Sequence, residues 1–71
     1  MDCAECHRLS AECARLEQAH ADLVKSLLDS AETLSARDYM RRRQAALEAR
    51  IDSEIAHTEF EQHQRIHAKA N

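Results

Sequence analysis

Seventy-one residues run without a single glycine or proline. Tight β-turns, phosphate-cradling loops and left-handed backbone positions depend on those two residue types. A sandwich, a barrel or a nucleotide-binding unit is excluded on that ground alone. An α-helix needs neither residue, and the chain is rich in the helix formers Ala, Leu, Glu, Arg and Gln. The fold class read from the sequence is all-α.

Length limits this to one small domain with a thin core. Thirteen of the hydrophobic residues are Ala and three are Cys, leaving 15 larger apolar side chains. A chain this short buries only about 60% of its unfolded surface, so it needs a staple or a partner.

Apolar residues fall on two helical segments. In the first, Cys6, Leu9, Cys13, Leu16, His20, Leu23, Leu27 and Leu34 recur at alternating spacings of three and four, with Ser30 in the remaining slot. Asp2 followed by Glu5 reads as the N-cap signature that opens it. Ser30, Thr33 and Ser35 then cluster, and Ser35 with Asp38 forms a second cap signature. The expected organisation is helix 1 over about 3–33, a turn at about 34–36 and helix 2 over about 36–69. This is an antiparallel, coiled-coil-like hairpin. One continuous helix of about 65 residues is the alternative, because no glycine marks the turn.

Helix 2 carries two stripes. Met40, Leu47, Ile51, Ile55 and Ile66 lie within an arc of about 100° at about 100° per residue. Ala45, Ala49, Ala56, Phe60, His63 and His67 lie roughly opposite. Helix 1 similarly has Ala4, Ala11, Ala14 and Ala21 behind its Leu/Cys seam. A helix that is apolar on two sides needs two neighbours, so the expectation is a homodimeric four-helix bundle. Leu16, Leu23, Leu27, Leu47, Ile51 and Ile55 are its expected core and dimer residues.

The sharpest chemical signal pairs Cys3-x-x-Cys6 with His63-x-x-x-His67, spacings that zinc uses with four N/S ligands. A hairpin folded at Ser35 puts two residues level when their numbers total about 70. Cys3 with His67 total 70 and Cys6 with His63 total 69. The cap signature and the ligand spacing thus place the fold at the same residue, and zinc there would clip the open end of the hairpin. Both His lie on the small-residue stripe, so that face must meet helix 1 for the site to form. Otherwise Cys6 is a small seam residue and the two His are solvated.

Two other constellations compete. Glu17-x-x-His20 and Glu54-x-x-His57 have the spacing of carboxylate-bridged di-iron bundles. Eight Glu and five His make such pairs common by chance, however. A buried His20 could equally set the helix register. Cys3-x-x-Cys6-His7 matches the covalent c-type haem pattern, with Met40 or another His as second axial ligand. Two aromatic residues offer little to wrap a porphyrin. No Gly turn or oxyanion donor set supports a cysteine nucleophile.

Charge and cysteine usage bound the rest. The net charge is −3, and Arg41, Arg42 and Arg43 form the only basic cluster, so nucleic acid is not an expected partner. Apolar runs of two or three residues give no membrane span, and the first residues lack a signal-peptide pattern. Three cysteines in that setting point to a reducing, cytoplasmic compartment. Together these features describe a small non-enzymatic helical interaction protein that takes an unidentified protein partner. Structural zinc is its first candidate metal, with an iron-handling dimer and then haem attachment as alternatives.

Overall fold

In a computed structural model that describes residues 3–70, the chain is a pair of antiparallel helices. Helix α1 spans Ala4–Ser30 and α2 spans Ala36–Ala70. They pack along their length into a rod of 54 × 15 × 12 Å. The continuous helix is thereby excluded.

The turn shows why glycine is dispensable. Helix α1 ends at Ser30, three residues before the sequence expectation. There the Ser30 hydroxyl donates back to the Ser26 carbonyl at 2.7 Å. The Ser30 carbonyl in turn accepts from Thr33 N–H, Leu34 N–H and the Thr33 hydroxyl. Hydroxyl side chains compete with the helix for local partners, and here they close it off. Among the described residues none has a positive φ, so the connection is made without a left-handed position. On the far side Ser35 Oγ accepts from Asp38 N–H at 3.2 Å, the expected cap of α2.

At the other end Asp2, expected as the cap of α1, lies outside the described residues. The N-cap position belongs to Cys3, whose sulfur accepts from Cys6 N–H at 3.4 Å.

The seam between the helices is narrow. From α1 it takes Leu9, Cys13 and Leu27, all buried, and from α2 it takes Ala46, Ser53 and Ala56. Leu16 is half-buried and Leu23 is 36% exposed, a departure from the even heptad core. A straight helix drifts about 20° per heptad against a 3.5 repeat. That drift leaves Leu23 at one edge of the seam, where Val24 on the other edge is half-buried, while Leu27 falls back in line with Leu9 and is buried.

Helix α2 therefore turns its small residues toward α1. Its Leu/Ile stripe stays wet: Leu47 is 41% exposed, Ile55 51% and Ile51 55%. Alanines against leucines let two helices approach closely but bury little area. At about 1.5–3 kcal/mol for each fully buried large side chain, this core contributes only a few such increments.

Among the described residues no helix is long and apolar enough to cross a membrane.

Candidate metal centre

The open end of the hairpin brings together Cys3, Cys6, His63 and His67. Helix α1 supplies two thiols one turn apart and α2 supplies two imidazoles one turn apart. Their candidate ligand atoms all lie within 4.8 Å of one another. Cys3 Sγ is 3.4 Å from His63 Nε2, and His63 Nε2 is 3.0 Å from His67 Nε2. The two rings meet edge to face, with centroids 4.5 Å apart.

These separations can be compared with a tetrahedral zinc site. Bond lengths of about 2.3 Å to sulfur and 2.0–2.1 Å to nitrogen require ligand atoms about 3.3–3.8 Å apart. The Cys3–His63 separation lies within that range, the His63–His67 separation of 3.0 Å is about 0.3 Å shorter than it, and the widest gap exceeds it by about 1 Å, so a tetrahedral site needs side-chain adjustments of that size.

The electrostatics point the same way. Cys3 Sγ and the Nε2 atoms of both His can all act as lone-pair donors, and His63 Nε2 is in contact with both others. One nitrogen carries at most one proton, so it cannot donate to both neighbours at once. A cation held between them could be coordinated by all three.

The thiols are unequal. The side chain of His63 and the backbone N–H of Cys6 hold the Cys3 thiol down to about 6. A helix N-terminus stabilises a thiolate in the same sense. Partial burial, and then the neighbouring Cys3 sulfur, push the Cys6 thiol up. Cys13 is buried in the seam, outside the cluster, and burial raises its thiol too. The Cys6 N–H to Cys3 sulfur contact is the kind of outer hydrogen bond that orients a metal-bound thiolate. His67 is exposed, so the site opens to solvent on one side.

Individual contacts depart from the level pairing by up to about one turn, in both directions. Cys3 meets His63, Ser26 meets Arg42 and Glu17 meets His57, pairs whose numbers total 66, 68 and 74. Side chains lean along their helices, so contacts scatter by about a turn around the level value of 70. Both His remain within reach of both Cys.

The second constellation does not assemble within the hairpin. Glu17 hydrogen-bonds His57 across the seam, while Glu54 pairs with Arg50 on its own helix at 3.0 Å. His20 is half-buried on α1. Among the described residues the only group of three or more convergent metal-ligand side chains is the Cys/His cluster. For the haem pattern, His7 is exposed on α1 and outside the cluster. Met40 sits at the turn end, about 35 Å away at 1.5 Å per residue, too far to ligate the same iron.

Spacing alone does not reveal the second role of Cys3, as helix cap and thiolate together. The signal was present, since Cys3 begins the segment that Cys6 continues, but Asp2 is the more familiar capping residue. The Glu17–His57 pair is likewise not legible from spacing, because the two residues lie 40 positions apart and meet only once the hairpin closes.

Compared with known proteins, the chain matches no family model, no curated sequence and no solved structure, so its site is read from its own geometry.

Proposed function

We propose that this protein is a small non-catalytic helical interaction module whose open end is clipped by structural zinc. Cys3, Cys6, His63 and His67 are the ligands. The observation that carries the reading is that four N/S side chains, two from each end of the chain, meet within 4.8 Å at the end farthest from the turn.

The energetics explain why such a clip matters. A seam of alanines and a few leucines leaves the ends of a hairpin prone to fray. Structural zinc in small domains contributes apparent binding energies of about 10–16 kcal/mol at neutral pH, far more than this core. Four protein ligands leave no open coordination position, which is the mark of a structural rather than a catalytic site. Free thiols as ligands fit a reducing, cytoplasmic setting.

The test is native mass spectrometry with metal analysis on protein purified without chelator. One zinc per chain is expected, and Cys6→Ser and His63→Ala should each abolish it. Replacement by cobalt should give the absorption of a tetrahedral thiolate–imidazole site. Protein that emerges metal-free, and whose melting added zinc leaves unchanged, would refute the reading.

A further inference from the structure

The Leu/Ile face of α2 has a shape and a charge pattern that are complementary to themselves, and we propose that it binds a second copy of this chain. The two α2 helices run antiparallel about a two-fold axis at Ile51. The proposal is independent of the Cys/His cluster, which lies at one end of the rod between the two helices.

Shape fixes the register. Ile51, Glu54, Ile55 and Thr58 occupy positions i, i+3, i+4 and i+7 of α2, the four corners of a coiled-coil hole. They line an open groove of about 330 Å3, with Glu59 at its edge. An antiparallel copy centred on Ile51 puts residue 47 level with residue 55. Leu47, 41% exposed, then projects into that groove as the knob. Symmetry repeats the contact, and the two Ile51 side chains meet on the axis.

Charge fixes the direction. The half of α2 before Ile51 carries Arg41, Arg42 and Arg43, and the half after it carries Glu59 and Glu61. The antiparallel register brings the arginine segment of each copy against the glutamate segment of the other. Going around α2 at about 100° per residue, Arg41 and Glu59 share one flank of the apolar stripe, and Arg43 and Glu61 share the other. In an antiparallel pair, like flanks face each other. A parallel pair would set arginine segment against arginine segment, and glutamate against glutamate. Near the axis, Arg50 of each copy faces Glu54 of the other on one flank, while on the opposite flank Glu48 faces Asp52, a like-charge contact outweighed by the two arginine–glutamate sets at the ends. Arg37 and Arg65 meet only at the outer edge of the overlap.

The faces of α2 fix the architecture. The buried Ala46, Ser53 and Ala56 lie nearly opposite Ile51 around the helix. Pairing through Ile51 therefore stacks the helices in a row, with the two α2 helices inside and an α1 on each outer side. This differs from a square four-helix bundle, where each helix meets its neighbours at about right angles.

Sedimentation equilibrium on the full chain tests the proposal, with wild type expected as a dimer at micromolar concentration. Ile51→Asp places two carboxylates on the axis and should give monomer. Because that change can also weaken the fold, two charge variants read the interface without touching its apolar residues. R41E/R43E and E59R/E61R should each raise the dimer dissociation constant at least about tenfold, since attraction becomes repulsion at both ends. An equimolar mixture of the two should restore dimers. A monomeric wild type would overturn the proposal and leave the face to a partner of another sequence. Charge variants that dimerise like wild type, or a mixture that stays monomeric, would also overturn it.

Discussion

Ala56→Leu should destabilise the hairpin strongly, because it tests which face of α2 meets α1. Ala56 is 6% exposed and lies on the same side as Ala46 and Ser53, against the Leu9, Cys13 and Leu27 side of α1. The larger side chain adds three carbon atoms to a seam whose helices approach closely through small residues. Overpacking of this kind costs about 1–3 kcal/mol. For a domain of this size each kcal/mol moves the melting temperature by about 4–8 °C, so the expected drop is roughly 5–20 °C. Leu and Ala differ little in helix propensity, so the effect is one of packing. Ala68→Leu, at an exposed site on the same helix, is the control and should melt within a degree or two of wild type. Thermal unfolding followed by circular dichroism at 222 nm is sufficient. If Ala56→Leu melts with wild type, α1 does not sit on the small-residue face, and the geometry of the Cys/His cluster falls with it.

Two further outcomes follow from the caps and the thiols. In metal-free protein Cys3 should be alkylated by iodoacetamide with a midpoint near pH 6, read by peptide mass mapping, while buried Cys13 stays protected and added zinc shields Cys3 and Cys6. A thiol whose folded pKa lies below its unfolded value adds stability that is complete above the ordinary thiol range and lost as pH falls through about 6. Melting of the metal-free hairpin should therefore rise from pH 6 to pH 8, and Cys3→Ser should flatten that slope. Ser35→Ala removes the acceptor of the Asp38 N–H and should cost about 1 kcal/mol, seen as a fall of about 4–8 °C in melting temperature.

Much of this molecule is legible in its sequence because helices leave local signatures. The absent Gly and Pro, the three-and-four spacing from Cys6 to Leu27, and the Ser35–Asp38 cap specify two helices and the break between them. The four Cys and His of the cluster can be paired from residue numbers alone, because a fold point and a Cys/His spacing are both counted along the chain. Other features were hidden. Helix α1 stops at Ser30 because hydroxyls gather on one carbonyl, a choice settled by competition among several weak bonds. Leu23 leaves the seam because drift accumulates over heptads, which the apolar spacing by itself does not display. The Cys3–His63 contact depends on how side chains lean along the helices, and this shifts partners by a turn.

The division of labour on α2 explains the least legible feature, which of its stripes meets its own chain. Hydrophobicity alone favours the Leu/Ile stripe, since Ile51 and Ile55 offer far more area than Ala56. If that stripe packed against α1, however, His63 and His67 would turn away from Cys3 and Cys6, and the alanine face would remain with little to attract a partner. Placing the alanines inward lets the helices approach closely enough for one-turn ligand pairs to meet. It also leaves the larger apolar stripe outward, where a second α2 can cover it. A weak seam, a Cys/His cluster at the open end and an exposed stripe are therefore linked results of one choice of face. The small residues bring the helices together, and the metal and the second chain would supply the stability that small residues cannot.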